Sequence, residues 1–188
     1  MRKLFLLLSL VVISVNAQNI EINLTENGAY EKKEVVKVDS TKAIILFERA
    51  MIALSDWTGP DGKAKAGIDY QEKETGTVIY KGRYSLGFKN TFLGDGWYRY
   101  AEFTLKVRCK DGRAQVTVIV PSITAIYNRN GMTRTNSVTE WLNAVNKAKG
   151  AKHERGVKLM TDLTETADGL VYAMCERLKT GGSSEDDF

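Results

Sequence analysis

From residue 97 to residue 120 the chain alternates. Ala101, Phe103, Leu105, Val107 and Cys109 interleave with Glu102, Thr104, Lys106, Arg108 and Lys110, a period of two that marks a strand with one buried face. Asp111-Gly112 then reverses the chain, because both residue types tolerate the positive φ of a tight hairpin turn. A two-residue turn sets Cys109 opposite Ala114, Val107 opposite Val116, Leu105 opposite Val118 and Phe103 opposite Val120. Each apolar residue meets an apolar partner, so turn and pattern select the same register.

The same reading extends along the chain. Ile20, Ile22 and Leu24 alternate with Glu21 and Asn23, as an edge strand would, and Asn27-Gly28 marks a turn. Residues 30–38 read as a strand. Asp39, Ser40 and Thr41 supply capping groups for a helix over 43–57, with Ile44, Phe47, Met51 and Leu54 as its apolar stripe, widened by Ile45 and Ile52. Gly59-Pro60 ends it. Ala66, Ile68 and Tyr70 alternate with polar residues, and Val78, Tyr80, Gly82, Tyr84, Leu86 and Phe88 share one face of the next strand. A three-residue loop over 74–76, with Gly76 left-handed, pairs Tyr70 with Tyr80 and Ala66 with Tyr84. Residues 89–96 form an irregular connection. Pro121 ends or bends the second hairpin strand, with 123–127 continuing it, and 128–131 is a loop. Ser137 and Glu140 have the spacing of a capping box, 150–156 reads as a basic break, and a long helix runs over 157–179 with Leu159, Leu163, Ala167, Leu170, Met174 and Leu178 at helical spacing. Strand, helix, several antiparallel strands, then helices: the order predicts an α+β fold, an antiparallel sheet with helices packed on one face.

The ends change the picture. Met1-Arg2-Lys3, an apolar run over 4–13 and Val15-Asn16-Ala17 have the order of a secretory signal peptide, with cleavage after Ala17 and no following lipidation cysteine. Residues 18–179 then form a single α+β domain, with C-terminal helices over 137–179, and 180–188 a flexible acidic tail. Without Arg2 and Lys3, 25 basic residues face 23 acidic ones, so the mature chain is close to neutral and offers no basic surfeit for nucleic acid or an anionic membrane. No further apolar run reaches transmembrane length. A leader of this kind predicts export from the cytoplasm. An oxidising compartment permits a Cys109–Cys175 bridge, and two buried free thiols satisfy the same pattern.

Three segments carry a resemblance. Val36-Lys37-Val38-Asp39 runs into the helix ending at Trp57. Ile68-Asp69-Tyr70-Gln71-Glu72-Lys73-Glu74-Thr75-Gly76-Thr77-Val78-Ile79 follows, and then the 103–118 hairpin with Lys110-Asp111-Gly112-Arg113 at its turn. Over about residues 30–125 the chain resembles a secreted bacterial family of unknown function with a TATA-binding-protein-like (TBP-like) fold. The resemblance implies a curved antiparallel sheet backed by helices, and a location in the periplasm or at the cell surface of a Gram-negative bacterium. The family brings no established activity and no catalytic residues to carry over, and its fold name alone does not imply DNA binding, because function resides in sites.

Chemistry is sparse. The single histidine, His153, lies in a lysine-rich stretch and reads as a solvated loop residue. There is no Gly-x-Ser-x-Gly elbow, no phosphate-binding loop, and no His/Cys spacing for a metal, so no catalytic set, metal site or cofactor is indicated. The suggestive cluster is aromatic: Phe92, Trp97, Tyr98 and Tyr100 with Arg99 between. With Lys81, Arg83, Lys106 and Arg108 these define a candidate surface, comprising Trp97, Tyr98, Tyr100 and the four cations, for an envelope protein or a glycan. A non-catalytic envelope binding or scaffold domain is the principal expectation. The alternative is a hydrolase using carboxylates such as Asp69 and Glu102.

Overall fold

A computed structural model describes residues 22–57, 67–90 and 96–181, with the side chain of Asn90 excepted. The expected leader, the turn at Gly59-Pro60, Ala66, the aromatic Phe92 and the acidic tail from residue 182 lie outside the described residues. The elements run β1 (Tyr30–Lys37), α1 (Ala43–Ser55), β2 (Gly67–Glu72), β3 (Thr77–Asn90), β4 (Gly96–Lys110), β5 (Arg113–Tyr127), β6 (Thr133–Ser137), α2 (Val138–Lys147) and α3 (Ala151–Thr180). The strands form one antiparallel sheet in the order β1-β5-β4-β3-β2, with β6 also on β5. Of the expected edge strand over 20–24, the described part holds a single bridge, Leu24 to Tyr30.

The helices cover one face. Val78, Tyr80, Tyr84, Leu105, Val107, Val116 and Val118 are buried there against Leu46, Leu54, Leu163, Met174 and Leu178 of α1 and α3. Tyrosine hydroxyls tie the layers together. Tyr84 donates to the Leu163 carbonyl at 2.9 Å, Tyr80 to the Trp57 carbonyl at 2.8 Å, and Tyr30 to Asp168 Oδ1 at 2.6 Å. Lys32 holds the other oxygen of Asp168 at 3.1 Å. Burial, and then the Asp168 bond, push the Tyr30 hydroxyl far above its ordinary range, so it stays a donor.

The β4–β5 hairpin has the register that its alternation predicts up to Leu105–Val118. Beyond that, Thr104 pairs Ile119 but Glu102 pairs Ser122, so Val120 and Pro121 both lie opposite Phe103. This bulge lets β5 continue where a stop was one expectation. Up to Val120 its outer neighbour is β1, and from Ser122 it is β6. Pro121, which has no N–H to give a ladder, sits where one neighbour ends and the other begins. β6 itself carries no apolar alternation, and the pattern did not reveal it.

Other expectations need correction. Tyr70 pairs Ile79, and Ile68 pairs Tyr80 across a bulge, so the loop spans 73–76 and not 74–76, although Gly76 is left-handed as expected. A third bulge, between Ser85 and Phe88 at Gly87 with φ of 84°, turns Phe88 to the open face, away from Leu86. In α1 the buried residues are Leu46, Phe47, Ala50, Ala53 and Leu54, while Ile45 and Ile52 are exposed. Its cap comes from elsewhere: Asp111 Oδ1, in the hairpin turn, accepts from the Ala43 N–H at 2.8 Å. The Ser137–Glu140 capping box of α2 is present. α3 starts at Ala151, six residues before its expected start. Gly156 is retained inside it because α2 crosses there. A Cβ on Gly156 would lie 2.6 Å from Val145 Cγ2. His153 is accordingly a buried helix residue whose Nδ1 meets the Val145 carbonyl at 3.0 Å, and not a solvated loop histidine. Cys109 and Cys175 are buried free thiols, so the permitted bridge is not formed.

Candidate functional site

Strand parity decides which side chains share a surface. Lys81, Arg83, Tyr98, Tyr100, Lys106 and Arg108 all project from β3 and β4 to the face that carries no helix. Trp97 does not. It shares the parity of Arg99 and Ala101 and points to the helix side, which removes it from the predicted surface. On the open face Phe88 takes its place, with its ring 4.5 Å from that of Tyr98, which is 43% exposed. Arg83 stacks over Tyr100 at 5.0 Å, and Lys81 pairs with Asp69 at 2.9 Å. The alternative carboxylates do not converge. Asp69 is held by Lys81, Glu102 lies across from Arg83 on the neighbouring strand, and neither lines any of the three hollows described below.

At the hairpin tip the open face ends in a cluster of cations. Exposed Arg108, Lys110 and Arg113 border a shallow hollow of about 230 Å³ with Val35 and Gln115. None of the three has an ion-pair partner among the described residues. Asp111, the acid within the turn, is occupied in capping α1.

The opposite end of β4 holds a different arrangement on the helix side. Where α2 crosses β5 and β6, a cleft of about 390 Å³ is lined by Trp97, Arg99, Trp141, Lys89, Glu140 and Arg134, among others. It adjoins a hollow of about 100 Å³ that shares Lys89, Arg99 and Trp141 and is bordered by Lys152 and Arg155 of α3. Arg99 lies over the Trp141 ring at 5.7 Å, and Trp97 packs on Tyr127 at 5.2 Å. The Trp141 indole Nε1 is buried with no acceptor among the described residues. Burial lowers the pKa of Arg99, with Arg155 adding to it, and burial first and then Arg99, Arg155 and Lys152 lower that of Lys89. Glu140 is turned to the helix cap, its Oε2 accepting from the Ser137 N–H at 2.9 Å and from Asn136 Nδ2 at 3.1 Å. Lys89, Trp141 and Arg134 were invisible as site residues in the sequence, because they come from the end of β3, from α2 and from the unpredicted β6. Only Trp97 and Arg99 gave a signal, as part of the aromatic run.

Comparison with known proteins agrees with the architecture. Residues 33–123 match the family model described as a domain of unknown function (DUF4468) with TBP-like fold. The structure resembles that of a DUF4468 family protein from Bacteroides ovatus, with a TM-score of 0.64 at 14% identity over 93% of this chain and 95% of that one. It also resembles a TBP-like protein from Parabacteroides distasonis, with a TM-score of 0.54 at 13% identity over 81% of this chain and 96% of that one. At these identities the likeness shows the fold alone. The curated proteins contain no match to the chain. No helix among the described residues is long and apolar enough to cross a membrane.

Proposed function

We propose that this chain, whose residues 33–123 match the DUF4468 family with its TBP-like fold, is an exported, non-catalytic binding module of the cell envelope that docks an acidic partner protein on its open sheet face. The observation that carries the reading is the face that no described helix covers: Phe88 against Tyr98 and Arg83 over Tyr100 form an aromatic–guanidinium patch, and it runs into Lys106, Arg108, Lys110 and Arg113, which have no ion-pair partner among the described residues. Tyrosine and arginine are the residues that protein interfaces favour, and an antiparallel sheet leaves one face free without structural cost. The cations at the tip set the charge of the partner. Export rests on the leader-like order of residues 1–17.

The test is a pull-down from a solubilised envelope fraction with wild type, Tyr98→Ala/Tyr100→Ala and Lys106→Glu/Arg108→Glu, alongside a glycan array. Both double variants should lose the captured partner while keeping the wild-type thermal melt. Capture that survives both changes rules out this face, and saturable binding to an acidic glycan with no protein captured replaces the protein partner. Intact mass of the protein from the envelope fraction should begin at Gln18.

A further inference from the structure

The cleft beneath α2 is separate from the open face, being on the other side of the sheet, and it has the chemistry of a ligand site. We propose that it binds a small anionic ring compound, with the acid group held by Arg99 and Lys89 and the ring lying against Trp97 and Trp141.

Four observations converge on this assignment. The volume, about 390 Å³, is in the range of small-molecule pockets and too large to be a packing defect. Its floor is aromatic, and the Arg99 guanidinium lies over the Trp141 ring at 5.7 Å, within cation–π reach, with a forked donor set that suits a carboxylate or phosphate. Lys89, Arg99, Lys152 and Arg155 surround the site with no ion-pair partner among the described residues. Glu140, the carboxylate on the rim, has its Oε2 turned to the α2 cap, where it accepts from Ser137 and Asn136. Arg99, half-buried, and the exposed Lys89, Lys152 and Arg155 are near enough to repel one another, and an entering anion relieves that repulsion. The Trp141 Nε1 is a buried donor without an acceptor among the described residues, and a buried donor left unpaired is costly, so the ring is held at this wall at some expense. A neutral ligand would leave the cations uncompensated, and a bare ion would leave the tryptophan walls unfilled.

The probes are phenyl phosphate, benzoate, inorganic phosphate and benzyl alcohol, titrated into the full chain while the tryptophan indole N–H resonances are followed. The expected result is saturable binding of phenyl phosphate or benzoate, at least tenfold tighter than inorganic phosphate, with none for benzyl alcohol. The Trp141 indole resonance should shift and that of Trp57, which lies outside the cleft, should stay. Preference between the two acids assigns the head group. Arg99→Gln should weaken binding at least tenfold. Lys89→Gln, at an exposed rim position where folding is not at risk, should weaken it severalfold, and Lys179→Gln, exposed at the far end of α3 and part of neither surface, should leave it unchanged. Absence of saturable binding by either acid overturns the assignment, as does binding that neither Arg99→Gln nor Lys89→Gln weakens or that moves Trp57 and not Trp141. Loss of partner capture by the open-face variants has no bearing on these readouts, so the two proposals fail separately.

Discussion

The two ends of β4 carry similar residues and hold them differently. Toward the tip, Leu105, Val107 and Cys109 face the helices, Lys106 and Arg108 face the open side, and Lys110 ends the strand in solvent, as the period of two requires. Toward the other end, Arg99 and Trp97 share the apolar face, yet the sheet there is covered by α2 and the first turns of α3, and a cleft remains. A cation at the tip is solvated and cheap. The same charge at Arg99 lies partly buried over an indole, and burial first, then repulsion by Arg155, lowers its pKa. What separates them is the bulge at Val120–Pro121, past which β5 exchanges β1 for β6 and brings α2 over the sheet. Counting charges therefore says little about a surface until the covering elements are known.

Truncation at the regular end should give the largest effect. Leu105→Ala removes a fully buried side chain and should cost roughly 2–5 kcal/mol in denaturant melts. Its neighbour Thr104→Ala, on the open face, should stay within about 0.5 kcal/mol. Equal costs would mean that this end is no better packed than the cleft end.

The covering of the cleft end can be loosened through one glycine. Gly156→Ala places a methyl 2.6 Å from Val145 Cγ2, so α2 must shift off α3, at a net cost of about 1–2 kcal/mol after the gain in helix propensity. Gly169→Ala, thirteen residues on in the same helix with nothing within 4 Å, should stabilise by up to about 1 kcal/mol. Two alanines of like sign in thermal melts would show that α2 does not press on α3. If Gly156→Ala also abolishes phenyl phosphate binding while Gly169→Ala keeps it, the position of α2 is what shapes the cleft.

The smallest effect should be chemical silence. Burial pushes the Cys109 thiol up to about 12 and, as the main cause, the Cys175 thiol up to about 11, so little thiolate exists at pH 8. A thiol reagent such as dithiobis-nitrobenzoate should label neither in the native protein and both in denaturant. Rapid native labelling of Cys109 would mean that the tip end opens readily, and an intact mass two units lower, with no labelling in denaturant, would mean that a bridge forms after all.

Much of the architecture was legible because it is local. Asp111-Gly112 with the alternation on either side determined the hairpin and its register as far as Leu105. Ser137 and Glu140 determined the start of α2, and the order of elements determined an α+β fold with helices on one face. These follow from turn stereochemistry, strand parity and capping, which neighbouring residues settle among themselves. The tertiary structure decided the rest. It placed Asp111 at the N-terminus of a helix 68 residues away in sequence, continued β5 past Pro121 by changing its neighbours, and carried α3 through Gly156 because α2 needed the room. It also turned Trp97 away from Tyr98 and gathered Lys89, Arg99 and Trp141 into one cleft. No window of sequence contains those three residues in proximity. A bulge changes parity by one residue without changing composition, and burial of a charge depends on what covers it, so both are properties of the packed molecule and not of the local chain.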